Sequence, residues 1–118
     1  MYGIPADIDW SFMIGAEPIQ ICIGTYDVII NYSKDISISM GDCFEYISDG
    51  VELASDPELS RKATSLVALL GAVVRRVDVE EGKVLILTFS NGDVLKVADV
   101  EERYESFTVC RPGMSLVV

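Results

Sequence analysis

The chain has no histidine, and this absence removes a large class of chemistry. Histidine is the usual base beside a nucleophilic Ser or Cys, and it is the commonest metal ligand among side chains. Paired carboxylates could in principle act as acid and base, but a sequence cannot show that two of them face a cleft. We therefore expect no enzyme activity, no catalytic residue, no metal and no cofactor.

Basic residues are also few, with 9 Lys plus Arg against 19 Asp plus Glu and a formal net charge of −10. Proteins that bind nucleic acids neutralise phosphates with Lys and Arg, so this balance argues against nucleic-acid binding. A negative surface is repelled by an anionic membrane, and no stretch has the roughly 18 apolar residues that a membrane span needs. We therefore expect neither a nucleic acid nor a membrane as a partner.

Cysteines are limited to Cys22, Cys43 and Cys110, and no C-x-x-C occurs. The first residues, MYGIPADIDW, lack the basic segment and the apolar run of a secretory signal peptide. We therefore expect free thiols and a cytoplasmic protein. Three Cys without any His make a zinc site improbable.

Hydrophobic residues are abundant and make up 50% of the 118 residues. A mean hydropathy of +0.35 is too high for a disordered chain. Size scaling gives burial of roughly two-thirds of the unfolded surface, which is enough for one core. We interpret residues 1–118 as a single domain.

One helix is predicted in the middle of the chain, over residues 56–70. Ser55-Asp56-Pro57-Glu58 matches a capping box, and Gly71 is a suitable residue just beyond the helix. The predicted buried stripe has helical spacing and consists of Leu59, Ala63, Leu66, Val67 and Leu70.

Alternating apolar residues on both sides of this helix predict β hairpins. A three-residue loop Ser90-Asn91-Gly92 pairs Leu87 with Leu95 and Leu85 with Val97, which places the apolar side chains on one face. A two-residue Asn91-Gly92 loop is the alternative. Before the helix, a loop at 33–35 gives the same pattern, pairing Tyr32 with Ile36, Ile30 with Ile38 and Val28 with Met40.

The two hairpins align at a constant offset, since Ile30 and Leu87 are 57 residues apart, as are Ile38 and Leu95. We therefore predict an internal duplication of 14–53 and 70–118, linked by the helix. Residues 104–118 add one or two closing strands. The predicted fold is β-dominant α+β, with two related three-stranded antiparallel meanders flanking one helix. They pack as a small sandwich or a half-open barrel.

A Leu70-Gly71 lead-in, the hairpin L-x-L-x-F-S-x-G-x-x-L-x-V over residues 85–97 and the segment Tyr104-Glu105-Ser106-Phe107 resemble a family of small, uncharacterised bacterial β-rich proteins. The first half resembles it more loosely, through Gly15, the 26–32 strand and Asp49-Gly50. Some members are similar to immunity-type proteins or are neighbours of polymorphic toxin systems. The resemblance implies a binding protein and carries over no catalytic residue.

Acidic residues after the helix form two clusters that are candidate partner-binding residues. The clusters are Asp78, Glu80 and Glu81, then Asp99, Glu101, Glu102 and Glu105. They are either solvated turn charges that keep an apolar protein soluble, or an electronegative face that attracts a basic partner.

Two functions follow as hypotheses. The first is a non-enzymatic acidic binding protein of the immunity type that neutralises a basic toxin domain. The alternative is a structural or assembly module that forms a homodimer through an exposed strand edge or an apolar face. A third option is a small apolar ligand held between the two half-sheets.

Overall fold

The computed structural model describes residues 3–99 and 107–118. Within them lie ten strands, one α-helix and two 3₁₀ helices. In chain order the strands are β1 (Pro18–Ile23), β2 (Val28–Tyr32), β3 (Ile36–Met40), β4 (Phe44–Ser48), β5 (Val51–Glu52), β6 (Val74–Glu80), β7 (Val84–Phe89), β8 (Val94–Ala98), β9 (Phe107–Arg111) and β10 (Met114–Val117). The helices are the first 3₁₀ helix (Trp10–Met13), α1 (Leu59–Thr64) and the second 3₁₀ helix (Ser65–Leu69).

The strands form two antiparallel sheets of five strands each. Sheet A has the order β1-β2-β3-β9-β10, and sheet B has the order β5-β4-β8-β7-β6. The prediction of a β-dominant α+β fold with two antiparallel sheets and one helix is confirmed. The registers of both predicted hairpins are confirmed as well, with Ile30 opposite Ile38 and Leu87 opposite Leu95.

Each predicted meander is only part of its sheet, because the sheets exchange strands. The β4–β5 hairpin follows the first meander in the chain, but β4 pairs with β8 in sheet B. Likewise β9 follows the second meander and pairs with β3 in sheet A. The sequence predicted closing strands over residues 104–118 but none over 44–52, and alternating apolar residues do not specify a strand partner so distant in the chain.

Hydrogen bonds in the two halves also match one another. The bond from Gly15 N to Val74 O (2.8 Å) has its counterpart in the bond from Gly71 N to Pro18 O (3.3 Å). Within each half, equivalent bonds join Ser33 N to Glu17 O and Ser90 N to Val73 O. The bonds of Gly15 and Gly71 run between the halves and are reciprocal, like contacts about a two-fold axis, so the halves are arranged about a pseudo-two-fold axis. A duplication as its origin stays a prediction.

The predicted bounds of the helix are wrong, because α1 begins at Leu59 rather than at residue 56. Glu58 is the N-cap residue, and no side-chain bond caps the helix. Asp56 Oδ1 instead accepts a hydrogen bond from Glu58 N (2.9 Å), which closes a turn around Pro57. Proline disfavours the helical conformation in the residue before it, so Asp56 belongs to this turn and not to the helix.

The predicted buried stripe is also wrong at two positions, since Val67 and Leu70 are 50% and 43% exposed. From Ser65 the chain continues as a 3₁₀ helix, in which residues three apart share a face. The buried residues of this helix are therefore Leu66 and Leu69.

One hydrophobic core lies between the sheets and extends to the second 3₁₀ helix. Its largest fully buried side chains include Tyr46, Phe89, Phe107, Met13 and Leu66. In the β2–β3 and β7–β8 hairpins, every second residue is buried in this core. Among the described residues, no helix has the length and apolar character needed to span a membrane.

Candidate partner-binding surface

Four of the seven acidic residues that the sequence singles out are described by the structure. Glu80 is the last residue of β6, Glu81 lies in the following turn and Asp99 follows β8. Asp78 lies within β6. Glu101, Glu102 and Glu105 lie outside the described residues.

The structure brings Glu80, Glu81 and Asp99 to the same end of sheet B. In an antiparallel meander the first strand ends where the second begins and the third ends. The backbone shows this directly, because Asp99 N donates to Lys83 O at 2.7 Å. Glu80 and Glu81 of the first sequence cluster therefore meet Asp99 of the second where β6 and β8 end.

The β6–β7 turn projects Glu81 away from the sheet. Glu81 and Gly82 both have positive φ, 53° and 67°, and lie in the three-residue loop between the paired residues Glu80 and Val84. Lys83 N donates to Glu80 O (3.0 Å) and closes the turn. Glu80 and Glu81 are both exposed.

Asp78 differs from these residues because its charge is compensated. Its Oδ2 lies 2.7 Å from Nε of Arg76, two residues earlier on the same strand. Asp78 lies opposite Ile86 of β7, and Ile86 lies opposite Lys96 of β8. Asp78 therefore belongs to the outer face of sheet B and contributes little net charge.

Asp99 has a structural role. Its Oδ2 accepts a hydrogen bond from Gly3 N (2.7 Å), and Ile4 N donates to Gly82 O (2.7 Å). These bonds fasten the segment before the first 3₁₀ helix to the end of sheet B. Since a charged acceptor strengthens such a bond, Asp99 holds this segment in place.

A groove of about 320 Å³ lies beside Glu80. It is lined by Asp42, Cys43, Phe44, Glu45, Lys62, Glu80, Val84, Lys96 and Ala98. Its volume is at the lower limit of known ligand sites and suits a single long side chain.

Lys62 closes one wall of the groove and is itself largely neutralised. Its Nζ lies 2.6 Å from Asp42 Oδ1 and 4.4 Å from the centroid of the Phe44 ring. Its side chain is only 12% exposed. This ion pair and cation–π contact fix α1 against the start of β4, so Lys62 has little capacity to bind a ligand.

Glu45 and Lys96 face each other across β4 and β8 on the outer face of sheet B. Sequence reasoning missed both, because they meet only when β4 pairs with a strand of the other half. It also missed Asp42 and Lys62, which meet because α1 packs against the start of β4. We name this end of the sheet the acidic end. It comprises five carboxylates and three lysines: Asp42, Glu45, Glu80, Glu81 and Asp99, with Lys62, Lys83 and Lys96.

The groove has little capacity for nucleophilic chemistry. Burial raises the pKa of the Cys43 thiol, which keeps it protonated at neutral pH and weakens it as a nucleophile. Within residues 3–99 and 107–118, no three Cys, Asp or Glu side chains are grouped so that they could hold a metal ion. Carboxylates around a narrow groove can instead accept hydrogen bonds from a guanidinium or an ammonium group.

No family model, curated protein or solved structure matches the chain.

Proposed function

We propose that this chain is a non-enzymatic binding protein that docks a basic protein domain against its acidic end. The observation that carries the proposal is the meeting of Glu80 and Glu81 with Asp99, from two separate sequence clusters, beside a groove with further carboxylates. Basic side chains of the partner would enter the groove or pair with its rim.

Glu80 and Glu81 are the residues best placed to meet a partner. Both are exposed, and no ion pair is described for either within residues 3–99 and 107–118. By contrast, Asp42 is paired with Lys62 and Asp78 with Arg76. Uncompensated charge at a rim mainly accelerates association and makes it sensitive to salt.

The immunity-type role is the specific form of this proposal, and it rests on the family resemblance. A nuclease toxin must bind phosphates and therefore has a basic surface that an acidic protein can cover. We place such a pair in the cytoplasm, where the free thiols of Cys22, Cys43 and Cys110 are kept reduced.

The test uses the protein encoded by the adjacent reading frame, purified in an inactive form. Its association rate is measured by stopped flow against the wild type and Glu80→Lys/Glu81→Lys, at increasing salt concentration. We expect a fall of roughly tenfold in the rate constant for the variant and a weaker dependence on salt. Absence of binding, or equal rates for the two proteins, would overturn the proposal.

A further inference from the structure

The two halves of the molecule provide two versions of one edge strand, β1 in sheet A and β6 in sheet B. Both strands are interrupted by a β-bulge at the same place, between Pro18 and Gln20 in β1 and between Val74 and Arg76 in β6. Their backbones are therefore comparable residue by residue.

Only one of these edges carries charge. At the positions where β6 has Arg75, Arg76, Asp78 and Glu80, the first half has Ile19, Gln20, Cys22 and Gly24. Charged side chains on an edge strand prevent it from pairing with another chain. The edge of sheet B is protected in this way, and the equivalent edge of sheet A is not.

The free backbone groups of β1 belong to Ile21 and Ile23. Gly24 N donates to Asp27 O (2.8 Å), so the backbone groups of Gly24 face the β2 side. The N–H and C=O groups of Cys22, two residues earlier, face β2 as well. Since successive residues of a strand alternate sides, the N–H and C=O groups of Ile21 and Ile23 face outward. Within residues 3–99 and 107–118, no other element donates a backbone hydrogen bond to these groups or accepts one from them.

Exposed apolar side chains accompany this free edge. Ile19 and Ile23 are 58% and 39% exposed. The bond from Gly71 N to Pro18 O places the half-exposed Leu70 beside the start of β1. A strand that paired with β1 would remove apolar surface from water in addition to forming backbone hydrogen bonds.

We propose that β1 pairs antiparallel with β1 of a second copy of the chain, about a two-fold axis at Cys22. Ile21 of each copy would bond to Ile23 of the other, and the two A sheets would join into one sheet of ten strands. Such an interface is isologous and closed, as in most homodimers. It uses no residue of the acidic end, so it stands independently of the proposed function.

Charge favours a second copy as the occupant of this edge. Each copy has a net charge of −10, so two copies can approach closely only where the surface is uncharged. Arg111 is the only charged residue in the strands of sheet A, whereas those of sheet B carry seven. Sheet A therefore provides the surface on which self-association meets the least repulsion.

The register places Cys22 of one copy directly opposite Cys22 of the other. Because Cys22 already bonds to β2, this is a non-hydrogen-bonded pair, with Cα atoms about 4.5 Å apart. Disulfides span Cα separations of about 4.4–6.8 Å, so the two thiols are within reach of each other. The pairing can therefore be detected by chemical cross-linking.

The first test is sedimentation equilibrium of the wild type, Cys22→Asp and Cys110→Asp over a wide concentration range. Cys22→Asp copies Asp78 of β6 and places two like charges face to face. Cys110 lies on the same sheet but on the interior strand β9, so Cys110→Asp is the matched control. We expect the wild type and the control to dimerise and Cys22→Asp to remain monomeric. A monomeric wild type, or a dimer unaffected by Cys22→Asp, overturns the proposal.

The second test is oxidation with diamide, which takes up the two hydrogen atoms that two thiols lose as they form a disulfide. We expect a covalent dimer that persists in Cys43→Ser/Cys110→Ser and is absent in Cys22→Ser. The other edge of sheet A, β10, has no cysteine. A reversible dimer without a Cys22 cross-link would therefore contradict pairing through β1.

Discussion

Tyr32 and Tyr46 are buried tyrosines with different hydrogen bonding. The Tyr46 hydroxyl donates to Asp93 Oδ2 at 2.5 Å, and Asn91 Nδ2 donates to the same oxygen at 3.1 Å. For the buried Tyr32 hydroxyl, no hydrogen-bond partner is found among the described residues. Phe89, which lacks the oxygen, is buried at the equivalent position in the other half.

This difference predicts opposite effects of removing the hydroxyl. Tyr32→Phe removes an unsatisfied polar atom and should raise the free energy of unfolding by about 1 kcal/mol. Tyr46→Phe deprives the buried Asp93 carboxylate of a partner and should lower it by about 1–3 kcal/mol. Urea denaturation of the two variants measures both values, and a loss of stability in Tyr32→Phe would contradict this account.

Burial raises the pKa of both tyrosines, and at Tyr46 the hydrogen bond to Asp93 adds to the effect. A raised pKa in the folded state means that the native protein keeps protons that the unfolded chain loses above about pH 10. The contribution of these two tyrosines to the free energy of unfolding should therefore be fully present below that pH and be lost as the pH rises further.

Tyrosinate absorbance recorded together with circular dichroism tests this alkaline transition. Part of the absorbance should appear only as the protein unfolds, and that part should be smaller in Tyr32→Phe. Complete ionisation of the tyrosines in the folded protein would contradict the expectation.

The buried side of the second 3₁₀ helix differs from that of the predicted α-helix. Leu66→Ala and Leu69→Ala should each lower the free energy of unfolding by about 2–5 kcal/mol, because both side chains are fully buried. Val67→Ala, one residue along and half exposed, should change it by no more than about 0.5 kcal/mol. Thermal and urea unfolding of the three variants test this, and a large effect at Val67 would show that an α-helical face is buried.

Local patterns predicted the hairpins but not the helix bounds. The pairing of Leu87 with Leu95 follows from strand alternation and from a loop whose Gly92 has a φ of +88°. The helix depends on competing local bonds, and the turn held by Asp56 replaces the predicted Ser55 cap. The change to a 3₁₀ helix at Ser65 places Leu66 and Leu69 in the core. The spacing of apolar residues alone does not specify this change.

At the scale of the whole molecule, strand exchange makes the two halves depend on each other. Each sheet takes three strands from one half and a hairpin from the other, so neither half has a complete sheet of its own. This pairing also explains why the sequence revealed Glu80 and Glu81 as candidates but not Glu45 and Lys96. The latter are neighbours only through the β4–β8 contact.

Cleavage between the halves should therefore leave them associated. A protease site inserted at residues 55–57, between β5 and α1, allows the chain to be cut in its native state. The two fragments should elute together in size-exclusion chromatography and separate only in denaturant, with one unfolding transition before cleavage. Separation of the fragments in native buffer would contradict the exchanged topology.

The most direct test of the acidic end compares two matched charge reversals, Glu81→Lys and Asp49→Lys. Each residue precedes a glycine in a tight turn and has a positive φ, 53° at Glu81 and 51° at Asp49. The two turns lie at opposite ends of sheet B, separated by roughly 17 Å along the strand direction, and at opposite edges of the sheet. The charge change and the backbone strain are therefore alike, and only the position differs.

The measurement is the association rate constant with the protein encoded by the adjacent reading frame, at low and at physiological ionic strength. We expect a several-fold lower rate for Glu81→Lys than for Asp49→Lys. Salt should reduce the difference, because physiological ionic strength shortens the range of such charges to about 8 Å. Equal rates for the two variants would contradict binding through the acidic end.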